Sequence, residues 1–231
     1  MTPSFETALV RVAPAGDAAL VAEFPPRIDP HINDRCRAVA AELRSRWAAI
    51  LRDVVIGYCT VTVYFDPVRV DSRWLESEIR TAAVSAEDAG PDAGAVIQVP
   101  VCYEGEWAPD LAEVAAFGGC SPDEVIARHT GREYRVYLVG FIPGFAYMAE
   151  VDPSIAAPRR ATPRTAVPIG SVAIAGGQTG IYPAVTPGGW NIIGRTPVKP
   201  YDPARLEPFL FNAGDRVQFT PVSRADFEQV S

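Results

Sequence analysis

Hydrophobic and polar positions follow two different patterns along this chain. Up to about residue 85, short apolar runs alternate with helical stretches. Ala8–Val12 and Ala18–Phe24 flank the turn cluster Pro14-Ala15-Gly16-Asp17 and predict a hairpin. Asp29-Pro30 then marks a helix start: Asp accepts from free N–H groups, and Pro fills the first helical position, where no N–H is needed. From there to about Ala49, Cys36, Val39, Ala40, Leu43, Trp47 and Ile50 recur at helical spacing. Val54–Tyr58 and Thr60–Phe65 read as strands. In the second, Val61, Val63 and Phe65 alternate with Thr60, Thr62 and Tyr64, the period of a half-buried strand. Asp71 or Ser72 opens another helix, with Leu75, Ile79 and Ala82 or Ala83 on one face. The order ββαββα fits a small sheet covered by two helices on one side.

Ser85–Ala95 (SAEDAGPDAGA) is small, polar and Gly/Pro-bearing, and reads as a linker. The expected division is an α+β domain over 1–88 and a second domain over 89–231. The second domain opens with a strand, Val96–Cys102, followed by two helical pieces. Ser121-Pro122-Asp123-Glu124 is a capping box, Gly131 a stop, and His129 falls in the last turn between them. Tyr134–Val139 predicts a strand leading into GFIPGFAYM (140–148). Beyond it the helical period vanishes. Short runs (Val167–Ala175, Gly180–Tyr182, Trp190–Ile193, Arg216–Phe219) separated by Gly and Pro predict an antiparallel barrel or sandwich. The fold class is α+β.

Composition changes this picture in three ways. With 231 residues, 48% hydrophobic and 21% charged, the chain is a globular one of one large or two small domains. It has no apolar run of about 18 residues and no signal-peptide core in its first 25, so a cytoplasmic location is expected. Cys36, Cys59, Cys102 and Cys120 are widely spaced, which predicts reduced core residues. Two histidines, His31 and His129, make a His-rich metal site implausible. A formal charge of −7 argues against general nucleic-acid binding. Yet Pro153–Tyr201 contains no Asp or Glu, while Arg159, Arg160, Arg164, Arg195 and Lys199 are basic. That local excess predicts either an anion-binding surface or a patch that docks an acidic partner.

The candidate chemistry concentrates in the same stretch. Gly176-Gly177-Gln178-Thr179-Gly180 reads as a phosphate cradle or as a tight β-turn; lacking a Lys, it is not a P-loop. The Gln178 amide can both donate and accept, which suits an amide or lactam, or it is an exposed turn residue. Arg159, Arg160 and Arg164 lie in PRRATPR, whose prolines stiffen the display of guanidinium forks matched to carboxylate or phosphate. Gly188-Gly189-Trp190 reads as a rigid turn after Pro187, with Trp190 in a pocket or in the core. His129 at a helix C-terminus, where the dipole favours its protonated form, is a general base or a helix-end residue.

The blocks GFIPGFAYM (140–148), PRRATPRTAVPIGSVAIAGGQTGIYP (158–183) and TPGGWNIIGRTP (186–197) resemble the signature of a family. It is the small-subunit family of prokaryotic ATP-dependent 5-oxoprolinases, also labelled allophanate hydrolase subunit 1 and founded on a histidine-kinase inhibitor. VPVCYEGEWAPDLAEVA (99–115), EVIARHTG (124–131) and GDRVQF (214–219) extend the resemblance over nearly the whole chain. The resemblance implies a small N-terminal α+β domain followed by a mainly antiparallel cyclophilin-like β-barrel. It also implies pairing with a larger cyclophilin-like subunit and a lactam-utilisation subunit, and the opening of 5-oxoproline to L-glutamate at the expense of ATP with Mg2+. On that basis His129, Gln178 and Arg164 are expected in catalysis, His129 assisting proton transfer and Gln178 contacting the amide. Arg160, Arg164 and Arg195 are expected to supply positive charge, and Tyr182, Trp190, Gly176, Gly177 and Thr179 to shape the binding pocket. Urea or allophanate metabolism and inhibition of a histidine kinase are the competing expectations.

Overall fold

The computed structural model describes residues 10–86 and 96–230. The chain divides into two compact units, Met1–Asp92 and Ala93–Ser231. The linker expected at 85–95 lies, from residue 87 onward, outside the described residues, as do Ala8 and Leu9 of the first expected run.

The first unit runs β1 (Arg11–Pro14), β2 (Ala19–Glu23), α1 (Pro30–Trp47), β3 (Leu51–Ile56), β4 (Thr60–Phe65) and α2 (Ser72–Ser85). Its antiparallel sheet has the order β1-β2-β4-β3. Both helices begin where an Asp accepts from backbone N–H groups: Asp29 from His31 and Ile32, Asp71 from Trp74. Val61, Val63 and Phe65 of β4 pack with Cys36, Val39 and Leu43 of α1 and Leu75 and Ile79 of α2 in one core. Each large apolar side chain there contributes about 1.5–3 kcal/mol through burial. Cys36 lies inside it, and burial pushes its thiol up to about 12, so it stays protonated and inert. Strand β3 starts earlier than the apolar pattern suggests. A register shift between Leu51 and Asp53 admits the charged pair Arg52-Asp53, which breaks the alternation.

The second unit contains β5 (Val96–Val101), α3 (Leu111–Gly118), α4 (Pro122–Thr130), β6 (Glu133–Val139), β7 (Ala146–Ala149), β8 (Arg164–Val167) and β9 (Ser171–Ala175). It continues with β10 (Gln178–Ile181), β11 (Thr186–Gly188), β12 (Asn191–Arg195), β13 (Arg216–Pro221) and α5 (Arg224–Val230). Seven strands form one sheet in the order β12-β9-β10-β7-β6-β13-β5, while β8 and β11 make a separate ribbon. Every neighbouring pair in the large sheet is antiparallel except β5 and β13. Its two ends meet where Cys102 and Arg195 exchange both backbone hydrogen bonds, at 2.8 and 2.9 Å, so the sheet is a nearly closed barrel. The capping box of α4 forms as expected, Ser121 accepting from the Glu124 N–H and Glu124 accepting in return from the Ser121 N–H.

The sheet is buried on both faces at one sector. Along β9, Val172 and Ile174 join the main core with Val136, Met148, Val217 and Phe219. Ala173 and Ala175 point the other way, into a cluster with Phe145, Tyr182, Trp190 and Ile192. A strand apolar on both sides shows no period of two, so Val167–Ala175 reads as one run. In the structure it is β8, a turn and β9. All four cysteines are free, Cys36 and Cys102 buried and Cys59 and Cys120 half-buried.

Candidate functional site

The buried His129 sits in a chain of polar groups. Its Nδ1 lies 2.8 Å from the Tyr103 hydroxyl and its Nε2 3.0 Å from Thr179 Oγ1. The Thr179 hydroxyl also donates to the Ala173 carbonyl at 3.0 Å. A hydroxyl has one proton to give, so Thr179 must accept from His129 Nε2–H, which leaves Nδ1 to accept from Tyr103. Burial keeps the Tyr103 phenol protonated, as that order requires. The ring stacks on Phe219 with centroids 4.6 Å apart, and burial lowers its pKa from 6.5 to about 3. The helix-dipole argument for a protonated His129 is therefore reversed: removal from water outweighs the dipole. A fully enclosed imidazole with both nitrogens engaged ties α4 to β10 and has no face for a substrate. Thr179 is likewise interior, with no exposure.

Arg160 and Arg164 converge on Asp110, which is 1% exposed. Arg164 grips it with a two-pronged fork, Nη1 to Oδ2 and Nη2 to Oδ1, both at 2.8 Å. Arg160 Nη1 donates to Asp110 Oδ1 at 2.6 Å and to Glu113 Oε2 at 2.9 Å. The Ile192 N–H adds a further donor to Asp110 Oδ2 at 2.7 Å. The positive charge expected of Arg160 and Arg164 is thus neutralised inside the fold. Their stretch lacks acids in sequence, but Asp110 and Glu113 arrive from the start of α3. Arg195 Nε donates to the Ile169 carbonyl at 3.0 Å, and its backbone closes the barrel.

A different face gathers the aromatic candidates. Phe145 meets Tyr147, Tyr182 and Trp190 edge-on, at 4.8, 5.2 and 5.3 Å between centroids. Tyr182 and Trp190 are buried and Tyr147 is half-buried. Phe141 stands beside them 63% exposed, with φ +69°, a conformation uncommon for a residue with a side chain. Burial raises the Tyr182 phenol, opposed by the Trp190 N–H and by the charge of Arg159. Gly188, two residues before Trp190, is needed for packing: a side chain there would collide with the Tyr182 hydroxyl. Gln178 pairs with Ala175 across the β9–β10 hairpin, and paired residues share a face, so Gln178 projects on this aromatic side. Gly176, at φ +55°, is the first residue of that two-residue hairpin loop. Its N–H donates to the Ala157 carbonyl at 2.7 Å, and the Gly177 carbonyl accepts from Val151 at 2.9 Å. The loop is a structural turn, not a cradle with its first N–H turned to an anion.

The pattern described as "Carboxyltransferase domain, subdomain C and D" matches residues 10–211. This chain belongs to that family. Within the carboxyltransferase C and D family, it is 37% identical to the B-type subunit of 5-oxoprolinase from Bacillus subtilis (strain 168), over 96% of both chains. Among solved structures, TTHA0988 superposes with a TM-score of 0.79 at 38% identity, over 89% of this chain. This chain spans 40% of TTHA0988. The urea amidolyase of K. lactis shares the fold, with a TM-score of 0.78 over 99% of this chain and 16% of that one, at 18% identity.

For this carboxyltransferase-domain chain, sequence reasoning grouped Gln178, Tyr182 and Trp190, which do share one region, but missed Tyr147 and Phe145. The signal was present in GFIPGFAYM, whose aromatics at 141, 145 and 147 favour a strand reading after Gly144. Among the described residues, no cluster of three or more His, Cys, Asp or Glu could hold a metal ion. Arg160, Arg164 and the Gly176 N–H, expected at an anion site, are engaged within the fold. No helix among the described residues is long and apolar enough to cross a membrane.

Proposed function

We propose that this chain is the B-type subunit of a 5-oxoprolinase complex and that its Tyr147–Gln178 face receives the lactam. The observation that carries the reading is the 37% identity, over 96% of both chains, with the Bacillus subtilis 5-oxoprolinase polypeptide. The face described above supports it: its accessible aromatics, the half-buried Tyr147 and the exposed Phe141, suit a small flat ring, and an amide side chain projecting on the same side suits a lactam's adjacent donor and acceptor. The ATP-dependent ring opening belongs to the assembled complex, formed with a larger, cyclophilin-like subunit and a lactam-utilisation subunit. ATP and Mg2+ are assigned to those partners, because Arg160, Arg164 and the Gly176 N–H are already engaged within this chain. This chain's own contribution is to bind and orient the ring.

The test is to copurify the chain with its partners and to measure 5-oxoproline-dependent ATP hydrolysis. Turnover with 5-oxoproline and none with urea is the expected result; turnover with urea alone would move the chain to urea metabolism. In the same assay Gln178→Ala lowers activity by roughly 100-fold, in line with the loss of one positioned hydrogen-bonding group. Unchanged turnover in that variant would remove Gln178 from the site.

A further inference from the structure

Three of the cations in the acid-free stretch have work within the fold: Arg160 and Arg164 hold Asp110, and Arg195 holds the Ile169 carbonyl. Arg159 does not share this fate. Its guanidinium carbon lies 5.9 Å from the centre of the Trp190 ring, and no carboxylate among the described residues pairs with it. Its charge reaches the phenols of both Tyr147 and Tyr182. The backbone on each side is pinned: the Pro158 carbonyl accepts from Asn191 Nδ2 at 2.8 Å, and the Arg160 N–H donates to the Gly189 carbonyl at 2.8 Å. The cation is therefore placed in advance over the aromatic floor, which lowers the ordering cost of binding.

A guanidinium held against an aromatic surface keeps its planar N–H edge for a ligand, and that edge matches a carboxylate. We propose that Arg159 reads the carboxylate of an anionic ring amide whose flat face rests on the half-buried Tyr147, at the rim of the Trp190 cluster, on the side to which Gln178 projects. The proposal deepens the function proposed above and rests on it for the identity of the ring. It adds a reason for selectivity: a neutral amide such as urea leaves the Arg159 fork without a partner, whereas 5-oxoproline carries a carboxylate beside its lactam.

The experiment titrates the assembled complex, free of nucleotide, with 5-oxoproline and with 2-pyrrolidinone, the same ring without the carboxylate, by calorimetry. The wild type should bind 5-oxoproline roughly 10- to 100-fold more tightly, the size of one charge-assisted contact. Arg159→Gln should abolish that preference while leaving 2-pyrrolidinone binding unchanged, and Arg159→Lys should restore part of it. In turnover, Arg159→Gln should raise KM for 5-oxoproline by a similar factor with kcat nearly preserved. A preference that survives Arg159→Gln, or no preference in the wild type, overturns the proposal. The two readings fail separately. Turnover of 5-oxoproline with an unchanged KM in Arg159→Gln sinks only the role of Arg159. Arg159-dependent binding of the carboxylated ring without turnover sinks only the proposed reaction.

Discussion

Arg159 and Arg160 are neighbours in sequence and opposites in the fold. Arg160 turns inward to Asp110 and Glu113, joined there by Arg164. Arg159 turns outward over Trp190. The same charge is neutralised structural cement at one position and an unmatched cation at the next. The difference teaches that a local charge count locates basic residues but not basic surface. What decides is whether another part of the chain delivers a carboxylate.

Four substitutions would break or sharpen this contrast, and the largest effect belongs to the acid rather than the bases. Asp110→Ala strands two guanidinium groups and the Ile192 N–H together, and should cost about 3–5 kcal/mol in chemical denaturation. Next is His129→Phe, which keeps a ring but leaves the Tyr103 hydroxyl without its acceptor and removes a donor to Thr179, at about 2–4 kcal/mol. The same pair of proteins should differ in acid. With the folded pKa of His129 near 3 and an ordinary value of 6.5, the unfolded chain takes up the proton first. The His129 contribution is complete above pH 6.5 and is lost as pH falls from 6.5 toward 3, at up to about 1.4 kcal/mol per pH unit. The variant should lack that component of the slope; an identical pH profile would mean that the ring is not buried neutral. Arg164→Lys keeps the charge but loses the fork, and should cost about 1–2 kcal/mol by the same measurement. Arg159→Gln comes last, changing stability by no more than about 0.5 kcal/mol. A stability loss at Arg159 comparable with that at Arg164 would erase the contrast.

The first unit was legible because its signals are local. Asp29 and Asp71 cap the helices they announce, and the alternation of Val61, Val63 and Phe65 is the buried face of β4. The second unit was legible in class but not in connection. Nothing near Val96 announces that β5 lies parallel to β13, because that pairing is fixed by the path of the whole sheet. Strand β7 was hidden behind Gly140–Gly144, whose turn residues outweigh the brief run Ala146–Ala149. Residue types could be read: Gln178 projects on the sheet face that carries Tyr182 and Trp190. Roles could not. The partners of Arg160, Arg164 and His129 lie about 50 positions away in the chain, at Asp110 and Thr179. Burial, which moves His129 out of the titrating range, depends on Phe219 and Tyr134 closing around it.

The pairing of β5 with β13 also sets an order of events during synthesis. The first strand of the second unit meets its ladder partner only when Arg216–Pro221 has been made. Until then β5 lacks that neighbour, and β6 presents the edge that β13 will later cover. Open edges of this kind attract other chains. A ribosome stalled before Arg216, or a chain cut there, would therefore release a barrel with an unpaired gap, prone to fill it with strands from another molecule.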